Sequence, residues 1–232
     1  MRSLVFLLAL LPMLCCAPKP LAESPAQQRA ALVERLELET VAMVHWVMNG
    51  ELAPVNAPGS TKSAYCAGVW VSRTDFVTAA HCPEGEVYLM VQTRDDEVAD
   101  TWRAAKLVSI RPLQDLALVR LNGTPPPHPV ATFARRAPRP GDPLHFVGHV
   151  VGQTWTYGQA FVSAFRAQRP DADGDPVDTL QVSGPIWNGD SGGGAFDEDG
   201  GLVGIMSYVS HEAPLLGYLI YRDVVRKFVG AK

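Results

Sequence analysis

A histidine, an aspartate and a serine stand in this chain in settings that suit acyl transfer. His81 lies in Thr78-Ala79-Ala80-His81-Cys82, Asp115 heads the apolar run Leu116–Leu121, and Ser191 lies in Gly189-Asp190-Ser191-Gly192-Gly193. A serine hydroxyl is a weak nucleophile at neutral pH; it needs an imidazole to take its proton and a carboxylate to hold that imidazole in the right tautomer. His81 is read as general base and then general acid, Asp115 as its orienter, and Ser191 as nucleophile. Glycines on both sides of Ser191 let the backbone turn tightly enough to aim amide groups at a developing oxyanion, and the N–H groups of Gly189 and Ser191 are the candidates.

Other residues of suitable type read differently. Asp95, Asp96 and Asp100 sit in a charged stretch expected to be a solvated loop, whereas Asp115 precedes a strand whose apolar pattern would bury it. His145 and His149 have the i, i+4 spacing of a helical zinc pair, but their surroundings read as strand and turn, so both are expected to be structural. Asp171, Asp173, Asp175 and Asp178 crowd a Gly/Pro loop without the order of a calcium loop and read as a solvated acidic tip. No metal and no cofactor is called for.

The elements that must position these groups are mostly strands. Ser24-Pro25-Ala26-Gln27 is a capping box with proline at the first helical position, which predicts a helix over about residues 25–38. A buried first strand is expected over Thr40–Met48, a Pro/Gly/Asn loop over Leu52–Ser63, and strands over Val69–Val77, Val87–Gln92, Trp102–Ile110 and Leu116–Leu121. A first barrel thus covers about residues 40–121. Asn122–Pro143 holds seven prolines, cannot sit in a central sheet, and reads as the connector over 122–143. Strands at Leu144–Val151, Thr154–Phe165, Thr179–Ser183, Gly194–Phe196, Leu202–Ser210 and Gly217–Tyr221 and a helix at Arg222–Val229 make a second barrel over 144–232. Residues 23–39 form an N-terminal helical segment that could serve as a pro-segment, a packed accessory or a tether.

Length and composition agree with an all-β protein: 232 residues, 47% of them hydrophobic, supply core for one large domain or two small ones. Met1-Arg2-Ser3 followed by apolar Leu4–Leu14 reads as a secretory leader over residues 1–22, too short to span a bilayer comfortably. The expected location is outside the cytoplasm, secreted or periplasmic; a lipid anchor on Cys15 or Cys16 is the less favoured alternative because the residues before them fit the modification poorly. Loss of Arg2 and Lys19 with the leader leaves 18 basic against 24 acidic residues, a net charge of −6, which argues against a nucleic-acid partner. Cys66 and Cys82 then remain, and in an oxidising compartment they are expected to pair, two free buried thiols being the other reading.

With these pieces in order the chain resembles the chymotrypsin-like, trypsin-fold serine peptidases over roughly residues 40–232. Cys66-Ala67-Gly68 fifteen residues ahead of His81, the aspartate strand Asp115–Leu121, Gly189–Gly193 and Leu202–Ser207 carry the resemblance. It implies a double six-stranded β-barrel, here with short N- and C-terminal helices, in which His81 and Asp115 lie on the first barrel, Ser191 on the second, and a peptide substrate in the cleft between. No Ile/Val-rich segment precedes the first strand, which sets the chain apart from members activated by insertion of a new N-terminus. Gly148–Gly152 and Tyr157–Ser163 are instead similar to the bacterial branch of periplasmic heat-shock peptidases.

The resemblance also implies a specificity pocket. Pro185 occupies the position six before the nucleophile, at the pocket base, and offers no carboxylate for a substrate lysine or arginine; Ser207-Tyr208-Val209 matches the strand that pairs with substrate, Val209 fills the pocket mouth, and Gly217 on the opposite wall leaves some room. Cleavage after small or medium aliphatic residues is expected. The competing function is a catalytically silent relative serving as a binding or scaffolding module, which has no need to keep base, orienter and nucleophile together.

Overall fold

In the computed structural model residues 23–49, 51–53, 57–83, 89–99, 101–168, 177–210, 212–213 and 215–230 are described. The leader with Cys15 and Cys16, Val87, Asp100, and Asp171, Asp173 and Asp175 of the acidic loop lie outside the described residues.

The chain enters through α1 (Pro25–Glu39), whose start is fixed by reciprocal caps: the Gln27 N–H donates to Ser24 Oγ, and the Ser24 N–H donates to Gln27 Oε1 at 2.9 Å. Then follow β1 (Thr40–Met48), β2 (Glu51–Ala53), β3 (Thr61–Trp70), β4 (Asp75–Thr78), β5 (Leu89–Gln92), α2 (Arg94–Val98), β6 (Arg103–Arg111) and β7 (Leu116–Leu121). They hydrogen-bond in the order β1-β3-β4-β7-β6-β5, and β5 returns to β1, closing a six-stranded barrel to which β2 adds a short hairpin arm. The second half carries β8 (Thr132–Phe133), β9 (Pro143–Gly148), β10 (Thr156–Gln168), β11 (Val177–Ser183), β12 (Gly194–Phe196), β13 (Gly201–Val209) and β14 (Leu216–Tyr221), ended by α3 (Arg222–Val229). Its ring runs β12-β9-β10-β11-β14-β13 and closes by β13 pairing with β12, while β8 attaches to β13 in parallel. Closure removes the exposed sheet edges that short antiparallel strands would otherwise present.

Each barrel has its own core, with Trp70, Phe76 and Val91 in the first and Leu144, Phe146, Leu180 and Met206 in the second. A third cluster joins residues from both: Val69, Val77 and Leu116 meet Val147, Phe196 and Ile205, with Leu36 of α1 and Val225 of α3. The apolar area between the barrels therefore fixes their relation, a non-directional force that the strand patterns alone do not aim.

Several elements depart from the sequence reading. The stretch Val69–Val77 is not one strand: Ser72 Oγ accepts the N–H groups of Thr74 and Asp75, and this turn separates β3 from β4. The loop expected over Leu52–Ser63 takes in the end of β2 and the start of β3. The charged stretch at 94–98 is a helix, because Thr93 and Asp96 form a capping box, and Asp96 is buried against Arg103 rather than solvated. Pro143, placed in the connector, opens β9 at a position where strands accept proline.

Candidate active site

β4 ends at Thr78, whose hydroxyl donates to the Ala67 carbonyl at 2.7 Å, and a turn then presents His81 on the rim of the first barrel. A disulfide joins Cys82 to Cys66 on β3, with the Cα atoms 6.1 Å apart, so the residue next to His81 is covalently tied to the barrel wall. Asp115 caps a 3-10 turn over Pro112–Gln114 and takes a left-handed conformation (φ 50°, ψ 45°), which a short polar side chain tolerates better than most. Its carboxylate is thereby turned toward His81: the ring Nδ1 lies 3.0 and 3.1 Å from the two oxygens, and the His81 backbone N–H donates to one of them at 3.2 Å. The Ser207 hydroxyl, reaching from β13, donates to the second oxygen at 2.5 Å. Asp115 is less buried than its neighbours suggested, with 23% of its side chain accessible, because it sits at the cleft end of β7.

Ser191 comes from the loop between β11 and β12. Its carbonyl accepts the Ala67 N–H at 2.8 Å across the barrel boundary, and its hydroxyl points to the Ser207 carbonyl at 3.5 Å. Gly192 follows with φ 82°; a Cβ there would lie 2.1 Å from Thr78 Oγ1 and 2.3 Å from the Ala67 carbonyl, so the approach of the two barrels at this point requires glycine. Gly189 has φ 105°, and a Cβ on it would lie 2.0 Å from the His149 carbonyl. The preceding carbonyl, that of Asn188, accepts the Val151 N–H at 2.8 Å. In a trans peptide the N–H points opposite to the carbonyl, so the Gly189 N–H is directed away from Val151.

Asp190, between these residues, has no accessible surface. One carboxylate oxygen accepts the Trp187 N–H at 3.0 Å; the other has no partner among the described residues and faces Gly148, where a Cβ would lie 1.9 Å from it. Burial pushes this carboxyl up to about 6. His149 is equally buried. Its Nδ1 accepts the Trp155 N–H at 3.2 Å, Nε2 faces the Val41 carbonyl at 3.4 Å, and burial holds the ring down at about 4. His145 contacts the Tyr157 hydroxyl at 2.8 Å.

His81 and Ser191 line one cavity of about 290 Å³, whose walls include Ile186, Trp187, Met206 and Val209. Tyr208 and Ser207 contribute to the same lining. Pro185 does not: it is exposed, and the turn closed by the Ile186 N–H on the Gly184 carbonyl puts the buried Ile186 in its place. Gly217 is buried behind Ile186, whose Cδ1 lies 3.0 Å from the position of a Cβ there, so it too lies outside the lining. Ser207, expected from its place on the substrate strand, has a second contact through Asp115 that no local sequence signal marks. Cys66, His81 and Cys82 bring three ligand-type atoms within 4.8 Å of one another, but two are joined in the disulfide and offer no thiolate.

Two closed barrels, with a hydrogen-bonded His–Asp pair on one and a serine in a glycine-rich loop on the other, have the architecture of the trypsin fold. Residues 66–205 match the family model of the trypsin-like peptidase domain, and the chain belongs to that family, a family of serine endopeptidases. Among solved structures, the Rv3671c protease from M. tuberculosis in its active form is 20% identical, superposes with a TM-score of 0.71, and the alignment covers 97% of this chain and 94% of that one. The inactive form of the Ser343Ala mutant of Rv3671c is 21% identical over 91% of this chain and 95% of that one, with a TM-score of 0.70. The HtrA-type protease AlgW with a decapeptide is 23% identical, with a TM-score of 0.72, over 87% of this chain and 66% of that chain. No curated protein sequence matches the chain closely enough to count.

Proposed function

We propose that the protein is an exported serine endopeptidase that hydrolyses peptide bonds through an acyl-enzyme on Ser191. The observation that carries this reading is the hydrogen-bonded set formed by Asp115 with the His81 ring and the Ser207 hydroxyl, facing the cleft that Ser191 also lines. Asp115 holds the proton on Nδ1, leaving Nε2 free of it; the Ser191 hydroxyl turns from the Ser207 carbonyl, gives its proton to Nε2, and attacks the scissile carbonyl. The oxygen that becomes negative is received by the N–H groups of Gly189 and Ser191. His81 then protonates the leaving amine, and water repeats the sequence in reverse to free Ser191.

Substrate backbone is held by strand addition. The cleft end of β13, at Tyr208 and Val209, pairs with β14 on one side, and β12 reaches only as far as Ile205 on the other. Ile186, Met206 and Val209 give the cavity apolar walls and, among the described residues, no carboxylate lines it, which favours small or medium aliphatic residues before the scissile bond and disfavours lysine and arginine. The leader and the disulfide support export. The test is labelling with an organophosphonate serine probe followed by cleavage of peptides that differ only at the residue before the scissile bond. Labelling at Ser191 with preference for Ala, Val or Leu is expected; an unlabelled, folded, disulfide-bonded protein would sink the reading.

A further inference from the structure

The segment from Gly148 to Trp155 lies against the loop that carries Ser191 at three points: Gly148 abuts the Asp190 carboxylate, the His149 carbonyl abuts Gly189, and the Val151 N–H holds the Asn188 carbonyl at 2.8 Å. That last bond decides which way the Asn188–Gly189 peptide faces. If the peptide turned over, a carbonyl would replace a donor on the side where the oxyanion forms.

The segment is not at ease in this seat. Val151 and Trp155 both adopt left-handed conformations, with φ 50° and 57°. A branched and a bulky residue are strained in that region and stay there only when their surroundings over-determine them. Those surroundings belong largely to the first barrel. The Thr154 hydroxyl donates to Glu97 Oε1 on α2, and Arg94 bonds the other Glu97 oxygen, lies over the Trp155 ring at 5.9 Å, and reaches Glu37 of α1 at 3.3 Å. The His149 ring adds its contact to Val41 on β1.

We infer that Glu97, Arg94 and Thr154 form a clasp that positions the oxyanion-binding peptide for hydrolysis: α2 grips the strained 148–155 segment, and the segment holds the Asn188 carbonyl outward. None of the three touches substrate; they are positioning residues, and their role rests on the peptidase reading above. Releasing the clasp lets the strained segment relax and raises the share of molecules whose Asn188–Gly189 peptide is turned over. Those molecules still bind peptide through β13 but lack one oxyanion donor, whose complete loss costs on the order of 10²–10³ in kcat. The loss thus falls on kcat and leaves KM in place.

The test compares the full-length protein with Thr154→Val, which removes a hydroxyl and keeps the shape, with Glu97→Ala, and with the conservative Thr154→Ser. Initial rates on one peptide substrate, inhibition by a peptide aldehyde of the same sequence, and melting temperature are measured. The clasp predicts roughly tenfold lower kcat for Thr154→Val and Glu97→Ala with KM within about twofold, aldehyde affinity falling in step with kcat, recovery in Thr154→Ser, and no further loss in the Thr154→Val/Glu97→Ala double variant. Unchanged kcat in Thr154→Val below its melting temperature overturns the clasp, as does a rise in KM alone. A parent protein that neither labels with an organophosphonate nor cleaves the peptide overturns the peptidase reading and the clasp with it, whereas a labelled parent with unaffected variants overturns the clasp alone.

Discussion

The first barrel holds its part of the site largely by bonds that begin and end within that barrel, with the Ser207 hydroxyl reaching Asp115 from the second. His81 leaves β4 beside a disulfide, is held by Asp115 through both its ring and its backbone N–H, and Asp115 is set by the turn immediately before β7. The second barrel's part, from Trp187 to Gly192, is held by groups from elsewhere: the Ala67 N–H on the Ser191 carbonyl, the Val151 N–H on the Asn188 carbonyl, and close contacts at Gly189 and Gly192. It also buries the Asp190 carboxylate, one oxygen of which has no partner among the described residues. One half is built to stay in place, while the geometry of the other depends on how the two barrels and their loops are packed. Treatments that act on covalent or local structure should therefore damage the first half, and treatments that act on packing or buried charge the second.

The largest expected effects come from the groups that bridge the two halves. Ser191→Ala should abolish turnover with little change in melting temperature, and Asp115→Asn should lower kcat by about 10⁴, the size of effect that a wrong imidazole tautomer has in trypsin. Activity near that of the parent in either variant would mean that the two halves do not work as one site.

Reduction should act on the first half. The Cys66–Cys82 bridge closes a loop with a sequence separation of 16, and a loop of that size contributes about 3 kcal/mol in the chain-entropy treatment. Denaturant midpoints with and without a dithiol reductant check this; equal midpoints, with both thiols shown to be free, would remove the anchoring argument.

Buried charge should act on the second half. Asp190 titrates near 6 in the folded protein against an ordinary 3.8, so its contribution to stability is present below about pH 4 and is lost as pH rises through 6. His149 has the opposite sign: held down at about 4, it contributes above pH 6.5 and loses that contribution as pH falls through 4. The two slopes oppose one another over nearly the same window. Asp190→Asn removes one of them, so the stability of the variant relative to the parent should rise by about 3 kcal/mol between pH 4 and pH 7. Urea unfolding at a series of pH values measures it, and a difference that does not change with pH would show that Asp190 is not the buried anion described here.

The smallest effect is on selectivity. Val209 lines the cavity and pairs with Gly217 on β14, so Val209→Gly should widen the mouth and shift preference from Ala toward Phe by roughly 1–2 kcal/mol in kcat/KM. A panel of peptides differing at one residue reads this; an unchanged ranking would place the specificity wall elsewhere, with Ile186 the next residue to vary.

The sequence by itself carried the parts of this protein whose cause is local. Ser24 to Gln27 marked the start of α1, alternating and branched apolar runs marked β1 and β7 to the residue, and the settings of His81, Asp115 and Ser191 identified the residues that could do acyl transfer. The helix α2 was hidden because four charged residues and a single valine show no apolar stripe, and only its cap at Thr93 signals it. What the tertiary structure alone decided is what depends on two distant segments meeting. Ser207 touches Asp115 across 92 positions of sequence, Gly192 allows Ser191 to reach the wall of the first barrel, and Ile186 rather than Pro185 turns into the cleft. A chain's local pattern fixes its strands through backbone geometry and burial, but the pairing of barrel with barrel is chosen by close packing of whole surfaces. No single stretch of residues contains that choice.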